Sequence, residues 1–213
     1  MKFTCLKKII LTLLLSSSVL VNTANAGIIY YDDFEDGVAG GFTDFTTVVK
    51  APNGESYIGN LTRGNTPLLT LNDLTIGSLF TIDFDIYGLR SLDGLNNKDN
   101  FEFFINGVSQ LVDFYGHSNG IIIGPTNGQL VSHDSTAFGH GSFYAGVSTY
   151  HYSITFRATS ESVNFGFKAN TDQIWYDEAF GLDNVVVTSV PEPFTLAIFS
   201  LVIMGVAARR FKK

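Results

Sequence analysis

Between Gly27 and Thr188 apolar and polar side chains alternate instead of recurring every three or four positions. Phe80, Ile82, Phe84 and Ile86 fall on one side of an extended chain, with Thr81, Asp83 and Asp85 on the other. Ile154, Phe156 and Ala158 stand against Ser153, Thr155 and Arg157, and Val163, Phe165 and Phe167 against Ser162, Asn164 and Lys168. A period of two means strands buried on one face, the habit of antiparallel sheets. Asn106-Gly107, between Phe101–Ile105 and Val108–Phe114, predicts a two-residue hairpin, since both turn positions need positive φ. Further strands are expected at 28–31, 42–49, 67–71, 120–123, 142–147 and 183–188. About ten strands joined by Gly-rich connections predict an all-β fold, an antiparallel β-sandwich of the jelly-roll kind. The stretch 116–150, rich in Gly, Ser, His and Asn, is expected to run as long loops over one face, where binding usually resides.

The two ends break this pattern. Lys2, Lys7 and Lys8 precede an apolar run from Ile9 to Leu15 that continues through Val19–Val21 and closes on Ala24-Asn25-Ala26. Small residues at both Ala positions fit signal peptidase, so residues 1–26 read as a signal peptide whose removal leaves Gly27 first. At the other end Phe194 to Ala208 is an uncharged run of 15 residues. As a helix it spans about 22 Å against a hydrocarbon core of roughly 30 Å, so crossing needs local bilayer thinning and snorkelling of Arg209 and Arg210. The basic tail Arg209, Arg210, Lys212 and Lys213 keeps that end cytoplasmic. Ahead of the run, Pro191 and Pro193 lack amide donors and hold Val190-Pro191-Glu192-Pro193 extended. The expected organisation is a signal peptide over 1–26, a sandwich over 27–190, and a sorting segment over 191–213 with its membrane helix at 194–208 and basic tail at 209–213.

That closing order of Pro-Glu-Pro, apolar helix and Arg-rich end resembles the PEP-CTERM sorting signal of Gram-negative bacteria, over residues 190–213. The resemblance implies recognition by an exosortase, a membrane cysteine transpeptidase-like enzyme, with the tail removed at or near the motif. It also implies transient residence in the inner membrane and association with exopolysaccharide or a biofilm matrix at the cell surface.

Charge narrows the partners. Seven of the 13 basic residues lie in the two ends while all 20 acidic residues lie between them, so residues 27–193 carry six against twenty, a net of −14. Such a domain repels phosphate backbones and excludes nucleic acid as a partner. The one cysteine, Cys5, leaves with the signal peptide, and the mature chain has neither disulfide nor thiol chemistry.

Three acidic clusters stand out: Asp32-Asp33-Phe34-Glu35-Asp36, the loop from Asp93 to Asp99, and Asp177-Glu178 with Asp183. Calcium takes six to eight oxygens, roughly what turn-rich acidic loops supply, while a solvated surface explains any single carboxylate as well. Phe34-Glu35-Asp36, Leu92-Asp93-Gly94 with Asp99-Asn100-Phe101, and Gly181-Leu182-Asp183-Asn184-Val185 look like secreted carbohydrate-binding-module and laminin-G-like jelly rolls. In many of those a structural calcium ties the termini, so the resemblance implies Ca²⁺ ligands among Glu35, Asp36, Asp93, Asp99 and Asp183. Leu92 stands where related surface proteins often carry Trp.

Trp175 and Tyr176 beside Asp177 and Glu178, together with Tyr144, Tyr150 and Tyr152, are flat rings near carboxylates. Sugar stacking and core packing account for them equally. Trp175, Tyr176, Asp177 and Tyr144 are the candidate glycan contacts. Asp83 and Asp85 match the first spacing of the E-x-D-x-x-E pattern of jelly-roll glucanases, but Gly88 stands where its third acid belongs. His117, His133, His140 and His151 have no metal-binding spacing and read as solvated loop residues. The expectation is therefore a non-enzymatic, exported surface or matrix protein whose domain adheres to polysaccharide or to its neighbours. A polysaccharide hydrolase or lyase, and a purely structural self-assembling protein, are the alternatives.

Overall fold

The computed structural model describes residues 26–51, 54–94, 98–118, 121–123, 126–134 and 147–190. The signal peptide up to Asn25, the sorting residues Pro191, Glu192 and Pro193, the helix 194–208, the basic tail and Tyr144 lie outside the described residues. Among the described residues no helix is long and apolar enough to cross a membrane.

Fourteen strands are described: β1 Ile28–Asp32, β2 Phe42–Thr43, β3 Val48–Lys50, β4 Ser56–Leu61, β5 Leu68–Leu71, β6 Leu79–Arg90, β7 Asn100–Ile105, β8 Val108–Phe114, β9 Gly116–Ser118, β10 Ile121–Ile123, β11 Gln129–Asp134, β12 Val147–Arg157, β13 Val163–Asn170 and β14 Glu178–Ser189. One sheet runs β11-β12-β6-β14-β4-β3, with β1 also on β14; the other runs β2-β5-β13-β7-β8; β9 and β10 form a small ladder of their own. Every described pairing is antiparallel. The protein is an all-β, two-sheet antiparallel sandwich.

The alternation read from the chain is what packs the two sheets together. Phe80, Ile82, Phe84 and Ile86 of β6 meet Phe101 and Phe103 of β7 and Phe165 and Phe167 of β13 in a single interior cluster. Phe84 sits at its centre, with ring centroids 5.1 Å from Phe103, 5.1 Å from Phe167 and 5.2 Å from Tyr152. Each such ring withdrawn from water contributes about 2–3 kcal/mol, and edge-to-face contacts add to it. The Asn106-Gly107 hairpin forms as expected, with φ of 51° and 75° at its two positions.

The predicted strand 42–49 is two strands in different sheets. β2 pairs with β5, whereas β3 pairs with β4. Asp44 takes a positive φ of 66°, and that turn lets Phe42 and Phe45 both reach the core while the chain changes layers. β4 is not among the expected strands, and it contains a glycine, Gly59. Gly59 has a packing reason: a Cβ there would stand 2.0 Å from the Tyr57 ring, which also lies over Gly181 of the neighbouring strand.

The expected loops of 116–150 include β9, β10, β11 and the start of β12. His151 is accordingly a strand residue, paired in register with Asp85. Tyr150 and Tyr152 are core residues, 3% and 1% exposed. Their polar neighbours hid an ordinary alternation in which Tyr supplies the apolar face.

Candidate functional site

One end of the sandwich gathers three acids from three chain segments. Asp99 immediately precedes β7, Asp172 follows β13 by two residues, and Glu178 opens β14. β7 and β13 are ladder neighbours, Asn100 opposite Asn170, so residues on either side of that rung come together. Asn170 Nδ2 donates to Asn100 Oδ1 at 2.9 Å and fixes it. One carboxylate oxygen from each of Asp99, Asp172 and Glu178 lies within 4.8 Å of the others. Asp99 and Glu178 are wholly buried, whereas Asp172 is exposed.

The electrostatics follow from that crowding. Asp99 Oδ2 accepts the Asp93 amide at 2.6 Å. Its other oxygen, Oδ1, is sealed from solvent and accepts no hydrogen bond. Glu178 accepts the Gln173 amide at 3.1 Å and the Gln173 side chain at 3.4 Å. Burial, then the neighbouring Asp99 carboxylate, pushes the Glu178 carboxyl up to about 8. Burial likewise raises Asp99. No salt bridge among the described residues involves any of the three.

The chain between Asp172 and Glu178 carries the aromatic pair. Its tip turns through hydrogen bonds from the Asp177 and Glu178 amides to the Ile174 carbonyl, 2.9 and 3.1 Å. Trp175 and Tyr176 lie against each other in a tilted pair, centroids 3.8 Å apart at 32°, and remain 39% and 64% exposed. The Arg90 guanidinium carbon lies 5.2 Å from the Trp175 ring centroid and Nη1 donates to the Trp175 carbonyl. Asp177 is held from behind: Ser91 Oγ donates to its Oδ1 at 2.6 Å and the Ser91 amide to its carbonyl at 3.0 Å.

The five residues expected to hold calcium do not converge. Only Asp99 belongs to the three-acid group, and Asp93 adjoins it through its amide. Glu35 Oε1 accepts the Ser56 amide at 2.7 Å. Asp36 Oδ1 accepts the Val38 amide at 2.9 Å, a turn of its own. Asp183 faces the outer side of the larger sheet, where Oδ2 accepts the Tyr87 hydroxyl at 2.5 Å. Burial, above all, lifts the Asp183 carboxyl to about 7. Asn184 beside it has φ 51° at an irregularity in the β14–β6 register, which lets Leu182 and Val185 both point inward. Asp172 and Glu178 are the residues that sequence reasoning did not join to Asp99. The β7–β13 pairing brings Asp172 to Asp99, and the start of β14, in the other sheet, brings Glu178.

A second polar group lies on the outer side of the larger sheet. His151 Nδ1 is 2.8 Å from Asp85 Oδ1, and Nε2 is 3.7 Å from Asp83 Oδ1. Asn184 Nδ2 donates to Asp85 Oδ2 at 2.9 Å.

No family model matches the chain. No curated protein matches it either. Among solved structures it is similar to the K3 cleaved adhesin domain of Lys-gingipain from Porphyromonas gingivalis w83, 14% identical over 77% of this chain and 99% of that one, TM-score 0.44. It is also similar to TmCBM27, a carbohydrate-binding module described for mannan recognition, 12% identical over 78% and 99%, TM-score 0.44. A third is CBM35 from Cellvibrio japonicus Abf62, 13% identical over 78% and 88%, TM-score 0.33. Likenesses this distant identify neither a ligand nor an activity for this chain.

Proposed function

We propose that this is an exported, exosortase-processed surface or exopolysaccharide-matrix protein whose jelly-roll sandwich binds glycan without catalysis. The observation that carries the glycan reading is the exposed Trp175–Tyr176 pair at the tip of the turn between β13 and β14. The tip is anchored by Ser91 and Arg90, Trp175 is partly covered by Arg90 and Tyr176, and the more exposed Tyr176 ring offers a flat surface that suits the C–H face of a sugar ring. The Pro-Glu-Pro segment, the apolar run and the basic tail support the sorting route, with signal peptidase acting before Gly27.

The test is retention of the purified chain on its producer's exopolysaccharide in affinity electrophoresis, wild type against Trp175→Ala and Tyr176→Ala. Retention that drops at least tenfold in both variants is expected. Retention equal in all three, or absent in all, rejects the aromatic platform. Mass spectrometry of the mature ends tests the sorting route, which predicts Gly27 first and a C-terminus near Pro191-Glu192-Pro193.

Hydrolysis is the second reading, favoured by one observation: Asp83 and Asp85 share an outer face with His151 between them. A screen of the same polymer for new reducing ends or unsaturated products decides it. Product formation abolished by Asp83→Asn or Asp85→Asn would replace the non-catalytic reading.

A further inference from the structure

We infer that Asp99, Asp172 and Glu178 form a divalent-cation site of calcium type that clamps the two sheets together beneath the aromatic turn. Two independent observations meet there. The first is the donor set: three carboxyl groups within 4.8 Å, all oxygen donors, with no salt bridge to any of them among the described residues. The second is Asp99 Oδ1, a wholly buried oxygen without a hydrogen-bond partner on a residue that has already given its other oxygen to the Asp93 amide. An unsatisfied buried acceptor is costly, the more so when charged, so a fold retains one where something else completes it.

Hard oxygen donors select magnesium- or calcium-class ions over thiophilic or imidazole-seeking metals. Calcium suits this site better, because its coordination is flexible and six to eight oxygens, roughly, are drawn from carboxylates and water. Asp172 is the exposed member, and its side of the site is open for water to fill the remaining positions. Asp99 and Asp172 flank strands of the smaller sheet and Glu178 begins a strand of the larger one, so a bound ion ties the layers directly. It also fixes both ends of the segment 172–178, which presents Trp175 and Tyr176. Glu35, Asp36 and Asp183 take no part.

The inference stands apart from the glycan reading, and its test uses no polysaccharide. The full chain is stripped with chelator, desalted, and titrated with Tb³⁺ at pH 8 while emission sensitised by Trp175, the sole tryptophan, is recorded. Saturable emission displaced by Ca²⁺ is expected, together with a melting temperature raised by about 5 °C or more in millimolar Ca²⁺. Glu178→Gln should abolish both. Asp172→Asn, at the exposed position, should weaken binding at least tenfold while leaving the metal-free melting temperature within about 1 °C of wild type. Asp36→Asn should change neither readout. Emission that is absent, or undiminished in both Glu178→Gln and Asp172→Asn, overturns the site. A melting temperature that no divalent cation moves overturns it equally. Ion binding without polysaccharide retention leaves this inference standing and removes only the glycan reading.

Discussion

Asp113, on β8, and Asp99, just ahead of the neighbouring β7, are two buried aspartates, 1% and 0% exposed, in opposite circumstances. Asp113 is surrounded by donors: the Thr126 amide and hydroxyl, the Asn127 amide and side chain, the Gly128 amide and the Tyr152 hydroxyl, at 2.7 to 3.2 Å. Asp99 keeps one oxygen bare and faces two further carboxylates. Burial alone does not say what an acid is for; its donors do. A carboxylate with a full shell of amides and hydroxyls pins a loop, here 126–128 onto β8. One that looks at other carboxylates carries repulsion that the fold must relieve from outside.

Breaking the satisfied site should cost most. Asp113→Ala orphans the donors gathered on one carboxylate and is expected to destabilise the chain by about 5 kcal/mol, read from urea midpoints. A loss under 1 kcal/mol would mean that water replaces the carboxylate freely, and would remove Asp113 as the reference for the comparison.

Asp183 lies between the two extremes, with the Tyr87 hydroxyl and the Asn184 amide as donors but Asp85 and Glu55 as like-charged neighbours. Its carboxyl titrates near 7 when folded against 3.8 ordinarily, so between those pH values the folded chain holds a proton that the unfolded chain has lost. Its contribution is therefore complete below about pH 4 and fades as pH rises to about 7, by up to about 4 kcal/mol. Asp183→Asn should flatten that part of the slope between pH 4 and 8 in urea melts; a slope identical to wild type rejects the assignment.

The sharpest contrast is one of sign. In chelator at pH 8, Asp99→Asn removes one of three facing carboxyl groups and is expected to stabilise the chain by about 1 kcal/mol, whereas Asp113→Asn destabilises it. Destabilisation by both sinks the comparison. Smallest of all, Asp36→Asn at an exposed turn should stay within about 0.5 kcal/mol of wild type, by the same melts.

How far the fold was legible depends on whether a local rule governed each part. β6, β12 and β13 were plain from alternation because one face of each meets the core, a property of consecutive residues. The hairpin at Asn106-Gly107 was plain because the turn's dihedral requirement is local. β4 was not, since its glycine answers to the Tyr57 ring and only the folded packing reveals why a strand should contain it. The same division runs through the candidate site. Trp175 and Tyr176 were singled out because adjacent rings beside acids are visible in one dimension, and the structure leaves them exposed. Tyr150 and Tyr152 read the same way and proved to be core, because exposure depends on which sheet lies opposite.

By itself, then, the sequence determined what is periodic or contiguous: an all-β middle, its hairpin, the acidic excess, and two ends whose composition departs from everything between them. Tertiary structure alone decided which acids meet. Asp99 lies 73 and 79 residues from Asp172 and Glu178 along the chain, and no local pattern couples positions so far apart. They come together because β13 pairs with β7 and β14 with β6, an arrangement selected by burying Phe84 and its neighbours between two sheets. The core sets the pairing, and the pairing sets the company each carboxylate keeps.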